Sequence, residues 1–301
     1  MSRWVYLPFL FLMAANAATG QEFVPGEIIV KLKGPSNSQS SFAFMGKAHS
    51  LKSMNLKSSF GKMNLHHFAL GKGKSVEEAL NELKNDPDVE YAEPNYIFRK
   101  SEEVGILQTY SFEEMQAMSQ QNSLGGSVVW ATGGVDIGLD EFHSSKTFNS
   151  LSLGKPIVAV IDTGLDINHP VFKDTDSIWV NAGEIPGNNI DDDGNGFVDD
   201  VNGFNFVDNS GSMYDDDGHG THVSGIVLSV DQNIEAATLV DSRIAIMPLK
   251  FLDGNGVGTT SNAIRAIYYA VQNGAVVLNN SWGGPSYSGA LHEAIAYAYN
   301  S

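Results

Sequence analysis

The chain has 301 residues, with 18 Lys or Arg, 35 Asp or Glu, a net charge of -17, 42% hydrophobic residues and no cysteine. That length suits about two domains and the apolar content excludes a disordered chain, while the lack of cysteine excludes disulfides, thiolate metal sites and a cysteine nucleophile. An acidic surface repels phosphate backbones, so no nucleic-acid partner is expected, whereas hard divalent cations suit it. The charge is uneven: residues 1–127 carry 12 basic and 13 acidic side chains, and residues 128–301 carry 6 and 22.

Arg3 precedes an apolar run from Trp4 to Met13, and Ala15-Asn16-Ala17 follows as a small-x-small cleavage pattern. Residues 1–17 therefore read as a signal peptide cut after Ala17, the run being too short for a span of roughly 20 residues. The product is expected to be secreted and free of the membrane after signal cleavage. Glu27–Lys33 alternates apolar and charged residues as a half-buried strand does, and a second strand is predicted at His66–Leu70. Ser75-Val-Glu-Glu forms a capping box before Ala79, Leu80 and Leu83, which share one helix face, and Pro87 lies just past that helix. The segment 88–98, DVEYAEPNYIF, reads as a strand with Pro94 at its margin. Residues 23–99 thus make a small α+β domain, and the polar stretch 100–127 a linker.

In residues 128–301 buried-type strands (Pro156–Ile161, Arg243–Lys250, Ala275–Asn280) alternate with helical patterns (His219–Ser229, Thr260–Gln272, Ser288–Tyr299). Continuous apolar strands separated by helices predict an α/β, doubly wound parallel sheet. Ligands bind such sheets outside the carboxyl ends of the strands, which singles out Asp162 at the end of VAVID. As Asp-Thr-Gly it has a second reading, an aspartic-protease carboxylate, though one copy and an α/β pattern weigh against it.

Further on, Asp191, Asp193 and Asn195 stand at alternate positions. Gly196 follows for the turn, then Phe197 with its carbonyl and Asp199, matching the first nine positions of an EF-hand-type loop; Asn202 replaces the twelfth-position Glu. Nine Asp without a basic residue between Asn188 and Gly218 make calcium the expected ion. Asp217-Gly-His-Gly-Thr-His-Val-Ser-Gly places glycines on both sides of His219 at a helix start. Its spacing to His222 does not suit a helical zinc pair. An Asp orienting an imidazole that deprotonates a serine is the alternative use of Asp162 and His219.

VAVIDTGLDINHP and DGHGTHVSGI closely resemble the Asp and His signatures of the subtilisin-like serine proteases, in the family's chain order. MPLKFLDGNGVGTTS is similar to the family's groove strand and glycine loop, LNNSWGGP to the wall of its primary specificity pocket, and the unit ending in VEYAEPN to its inhibitory propeptide. The resemblance implies a subtilisin-like catalytic domain, incomplete, behind a ferredoxin-like propeptide. It implies Asp162 as orienting carboxylate and His219 as general base, with Gly256, Val257, Gly258, Ser281, Trp282 and Gly283 pairing with an extended peptide. His222 would pack near the site, and Trp282 would leave room for apolar side chains. The implied protein is a secreted endopeptidase zymogen acting on polypeptide substrates, monomeric, with its own propeptide as intramolecular inhibitor.

The family's Gly-Thr-Ser-x-Ala-like serine signature and its later oxyanion Asn do not occur in the 301 residues. Ser261 reads as a helix cap, and Asn279 and Asn280 precede the pocket strand, so none of these fills the gap. A fragment of a longer reading frame is therefore expected, without peptidase activity of its own. The alternative is a truncated, non-catalytic protein whose propeptide domain inhibits other subtilisin-like proteases.

Overall fold

A computed structural model describes residues 21–35, 39–50, 53–101, 155–173, 175–231 and 242–301. The expected signal peptide 1–17, residues 102–127 of the expected linker and the segment 128–154 lie outside the described residues. The amino-terminal unit runs β1 (Phe23–Leu32), α1 (Gln39–Ser50), β2 (Met54–Phe60), β3 (Leu65–Leu70), α2 (Val76–Leu83) and β4 (Val89–Lys100). Its strands pair antiparallel in the order β4-β1-β3-β2. Ser75 caps α2 as expected: its Oγ accepts from Glu78 N at 3.1 Å, and the Glu78 carboxylate accepts from Ser75 N at 2.9 Å. Strand alternation gives β1 two jobs. Ile28, Val30 and Leu32 cluster with Phe44, Ala48, Ala79 and Leu83 of the helices, and Ile29, on the other face, joins a core shared with the second unit.

Three features depart from expectation. Helix α1 and strand β2 carry weak patterns and were not predicted. Pro94 lies inside β4 rather than at its margin, pairing with Ile28 where the β1–β4 register shifts; such an irregularity tolerates a residue without an N–H. Lys100, expected to begin the linker, ends β4.

The second unit contains β5 (Ile157–Asp162), β6 (Phe204–Asn205), α3 (His219–Asp231), β7 (Ala245–Lys250), β8 (Val257–Thr259), α4 (Thr260–Gln272), β9 (Ala275–Asn279), β10 (Trp282–Gly283) and α5 (Gly289–Tyr299). Four strands pair parallel in the order β6-β7-β5-β9. Val158, Val160 and Ile246 pack against Val223 and Val227 of α3, whereas Ala159, Ile161, Met247 and Leu249 join Ile264 and Ile267 of α4. Both faces of β5 and β7 are therefore covered, which explains their unbroken apolar runs; β9, expected as a buried-type strand, is instead an edge strand among the described residues, with Val276 and Val277 60% and 51% exposed. From β5 the chain passes to β6 and β7 on one side and then to β9 on the other. The strand order thus reverses at β5, whose carboxyl end carries Asp162.

Strand β4 joins the units. Beyond its pairing with β1 it pairs with β8 through Ile97–Arg99, and with β10 through Arg99 and Lys100. Two of its polar side chains cap helices of the second unit. The Glu93 carboxylate accepts from Ser288 Oγ (2.5 Å), Gly289 N (2.8 Å) and Ala290 N (3.3 Å) at the start of α5. Asn95 Oδ1 accepts from Ser261 N at 2.9 Å at the start of α4. Ser261 is thus a buried first-turn residue, and the N-cap is Thr259, whose side chain accepts from Asn262 N. This corrects the expected cap: the residue at the cap position is set by where the β8 turn ends, and Ser261 instead hydrogen-bonds the other unit.

Asn95 is held by Glu27, whose Oε2 accepts from Asn95 Nδ2 at 2.8 Å and lies 2.9 Å from His67 Nε2, while Oε1 accepts from Lys57 at 2.7 Å. Burial raises the Glu27 pKa, but the hydrogen bonds of His67, Lys57 and Asn95 outweigh it and bring it down to about 2. A depressed carboxyl contributes stability that is present above its ordinary value of 4.5 and lost as pH falls through about 2. The stability gap between the parent and Glu27→Gln, read by urea denaturation, is expected to be full above pH 4.5 and to shrink as pH falls towards 2. A gap independent of pH across that window would contradict the linkage.

Candidate active site

The end of β5 and the start of α3 meet at one hydrogen bond: His219 Nδ1 lies 2.7 Å from Asp162 Oδ1. The Asp162 side chain is fully buried, and that of His219 is 8% exposed. Asp162 Oδ1 also accepts from Thr163 N at 2.7 Å, and Oδ2 has no hydrogen-bond partner among the described residues. Burial pushes the Asp162 carboxyl above the usual carboxylate range, against the hydrogen bonds from His219 and Thr163.

The contact depends on how closely α3 approaches β5. Gly220 N donates to Thr163 Oγ1 at 2.8 Å, and a Cβ on Gly220 would lie 2.3 Å from Gly164 O. Asp215 ties the loop before the helix. It accepts from Thr163 Oγ1 (2.8 Å), Gly218 N (2.8 Å), and both Thr221 N (2.8 Å) and Thr221 Oγ1 (2.6 Å). Its pKa is raised by burial but lowered further by these hydrogen bonds, so it falls below the ordinary value. At the end of β7, the buried Lys250 donates to Thr163 O (2.5 Å), Leu252 O (3.0 Å) and Asp216 Oδ1 (2.6 Å). Thr163, Asp215 and Lys250 were not singled out in the sequence; the Asp-Asp-Asp run before Gly218 was the available signal. His222, expected to pack near the site, is exposed on α3.

The six expected groove residues converge on β4. Lys100 N donates to Gly256 O at 2.8 Å and Ser101 N to Ser281 O at 2.9 Å. Val257 and Gly258 pair with Arg99 and Phe98, and Trp282 and Gly283 pair with Lys100 and Arg99. Phe98, 4% exposed, meets the Trp282 ring edge-on at 5.5 Å, and Trp282 in turn lies 4.6 Å from the Phe251 ring. A Cβ on Gly284 would lie 2.8 Å from Phe98, so that glycine makes room for the ring.

The acidic loop folds differently from the expected EF-hand-type ligand set. Carboxylate oxygens of Glu184, Asp193 and Asp200 lie within 4.8 Å of one another. Of the expected ligands Asp191, Asp193, Asn195, Phe197 and Asp199, only Asp193 is in this cluster. Asp191 accepts from Asn195 N and Gly196 N, and Asp199 from Asn188 N and Asn189 N. The Asn195 amide donates to Asp193 and Asp200, and the Phe197 ring packs on Phe204, Phe206 and Tyr269. Tyr269 donates to Asp200 at 2.6 Å, and burial together with that acceptor pushes its hydroxyl pKa up. Alternate spacing located the loop but not its inward side. Glu184 lies outside the pattern, and Asp200 is buried by tertiary packing. Three clustered carboxylates supply the hard oxygen ligands that calcium takes, and in this structure their oxygens accept from the Asn181 and Asn195 amides, Tyr269 and backbone N–H groups.

Residues 154–301 match the Subtilase family, and residues 12–95 match the fervidolysin N-terminal prodomain. The "Thermophilic serine proteinase" of Bacillus sp. (strain AK1) is 30% identical over 287 residues, covering 92% of this chain and 57% of that protein. "Subtilisin-like protease 1" of Plasmodium falciparum (isolate 3D7) is 36% identical over 166 residues, covering 54% of this chain and 24% of that protein. The chain thus spans about a quarter of the Plasmodium relative and just over half of the Bacillus one. The crystal structure of fervidolysin from Fervidobacterium pennivorans, a keratinolytic enzyme related to subtilisin, shares the fold. Its TM-score is 0.57 at 20% identity, over 95% of this chain and 39% of that one.

Two glycines of α3 test the close approach. Gly220→Ala is expected to cost about 1–3 kcal/mol through overpacking and to abolish the downfield Nδ1 proton resonance of His219 in NMR. Gly225→Ala, where a Cβ meets nothing within 4 Å, is expected to leave that resonance in place and to stabilise by up to about 1 kcal/mol. The same outcome for both variants would remove the steric argument.

Proposed function

Residues 154–301 belong to the subtilase family and follow a prodomain, and on that basis we propose that the protein is a secreted serine endopeptidase zymogen acting on polypeptides. The observation that carries this reading is the 2.7 Å contact between His219 and Asp162, next to a groove filled by an extended strand. Asp162 holds the imidazole by Nδ1, which leaves Nε2 to accept a proton from a serine hydroxyl and later to return it to the leaving amine. The charge of the buried carboxylate also stabilises the imidazolium that forms in between. Attack forms the acyl-serine bond and releases the amine, and water then hydrolyses the acyl group by the same proton route. The 301 residues contain no segment resembling the family's serine signature, so these residues alone are expected to be inactive.

The amino-terminal unit, with β-α-β-β-α-β order and strands arranged β4-β1-β3-β2, we read as a ferredoxin-like propeptide occupying residues 23–99. Its tail lies between β8 and β10 as a substrate would, by strand addition, which makes the propeptide an intramolecular inhibitor. Cleavage is expected between roughly Ile97 and Ser127. A monomer outside the cell is the proposed final form; among the described residues no helix is long and apolar enough to cross a membrane. Glu184, Asp193 and Asp200 would hold calcium, whose charge offsets their mutual repulsion and fixes the loop beside Tyr269.

In the protease carrying these residues, His219→Ala is expected to abolish cleavage of denatured polypeptides while far-UV circular dichroism is unchanged. Activity should also be lost to sulfonyl fluorides. Optimal activity at acid pH, resistant to sulfonyl fluorides, would instead support the aspartic reading of Asp162.

Calcium has its own test. A chelator is expected to lower the melting temperature of the parent by several degrees and to leave that of Asp200→Asn nearly unchanged. Equal shifts in both proteins would place calcium elsewhere or nowhere.

A further inference from the structure

Three aspartates precede His219, and each has a different partner. Asp215 is held by Thr163, Gly218 and Thr221, and Asp216 pairs with the buried Lys250. Asp217 pairs with Lys100, whose Nζ lies 2.5 Å from both carboxylate oxygens. The first two sets of partners belong to the same domain as the aspartates. Lys100 lies at the end of the prodomain strand, which departs if the tail is cut and released.

Asp217 is built for this contact. Its side chain is 11% exposed, so the pair is sheltered from the solvent that weakens surface ion pairs. Asp217 N donates to Asp215 Oδ1 at 3.2 Å, and its own Oδ1 accepts from His219 N at 3.2 Å, which fixes the carboxylate two residues from the base. Opposite it, the Lys100 stem lies on Gly256, where a Cβ would fall 2.6 Å from Lys100 Cγ and 2.7 Å from Cδ. Gly256 has φ +69, a conformation that disfavours any side chain that would fill this slot. Backbone hydrogen bonds on either side, Lys100 N to Gly256 O and Ser101 N to Ser281 O, set the register. The neighbouring Arg99 contrasts with this, because its guanidinium turns to the exposed Glu22 of its own unit.

We propose that Asp217 makes the groove select polypeptides with a lysine or arginine at the position Lys100 occupies, so that the prodomain tail is held by the same carboxylate that reads substrates. This rests on the protease reading above. The backbone pairing of β8 and β10 accepts any extended chain, whereas the slot over Gly256 ends in a fixed negative charge. A basic side chain satisfies that charge, a neutral one leaves it partly desolvated, and an acidic one is repelled.

The test uses the active protease carrying these residues and peptides of the pattern Phe-Arg-X-Ser, which keep the Phe98–Ser101 sequence and vary X among Lys, Arg, Gln and Glu. The ratio of kcat/KM for Lys over Gln is expected to be about tenfold or more and to fall to near one in Asp217→Asn, with Glu the poorest substrate of the parent. High salt should reduce the ratio in the parent but not in the variant. A parent ratio near one, or an unchanged ratio in Asp217→Asn, overturns the proposal while leaving the protease reading intact. If no peptide is cleaved at all, the protease reading fails, and hydrogen exchange on the 301-residue chain decides the pairing. Lys100→Gln and Asp217→Asn should each speed exchange of the Ser101 amide several-fold, and the double variant no further. Independent, multiplying effects would show that the two side chains do not read one another.

Discussion

The backbone hydrogen bonds of β4 are the interaction on which the arrangement rests. A strand with two unpaired edges must have its N–H and C=O groups satisfied along its whole length. β4 satisfies them first with β1 of its own unit and then with β8 and β10 of the other. The same requirement, seen from the groove, leaves β8 and β10 as short segments whose partner in this structure is β4. One 12-residue strand therefore serves both as the last element of the first unit and as the occupant of the second unit's cleft.

Side chains on β4 use that placement. Glu93 and Asn95 meet the N-termini of α5 and α4, where free N–H groups and the positive end of the helix dipole favour acceptors. Burial pushes the Glu93 carboxyl above its ordinary range, with the hydrogen bonds from Ser288, Gly289 and Ala290 opposing it. Around them Glu293 of α5 accepts from Tyr91 at 3.0 Å and forms an ion pair with Lys31. The interface thus combines a buried apolar face behind Ile29 and Phe98 with polar contacts that require one register.

The Asp162–His219 contact follows from a different constraint, the reversal of strand order at β5. There the loops after neighbouring strands part, and the carboxyl end of β5 faces open space that α3 can approach. Gly220 lets the helix come close enough for a 2.7 Å contact, and Thr163 with Asp215 fixes its rotation. An imidazole placed by backbone packing of this kind is held in one orientation.

Much of this was legible in the residues. The unbroken apolar runs of β5 and β7 gave away strands covered on both faces, because strands buried on two sides cannot alternate. Asp162 and His219 were found because each stands at the end of an apolar strand or the start of a helix with glycine beside it, where local sequence alone marks a close approach. Other features depended on contacts between residues far apart in the chain. Ser261 looked like a cap until Asn95, 166 residues away, proved to be its partner. The expected loop ligands were spaced correctly for one turn, but Asp200 is turned inward by Tyr269 and the aromatic cluster, and Glu184 joins from outside the repeat. Spacing along the chain thus determined which segments carry the chemistry, since periodicity and glycine act locally. Which oxygen meets which cation or amide was decided only by tertiary packing, since burial and charge pairing are properties of the folded neighbourhood.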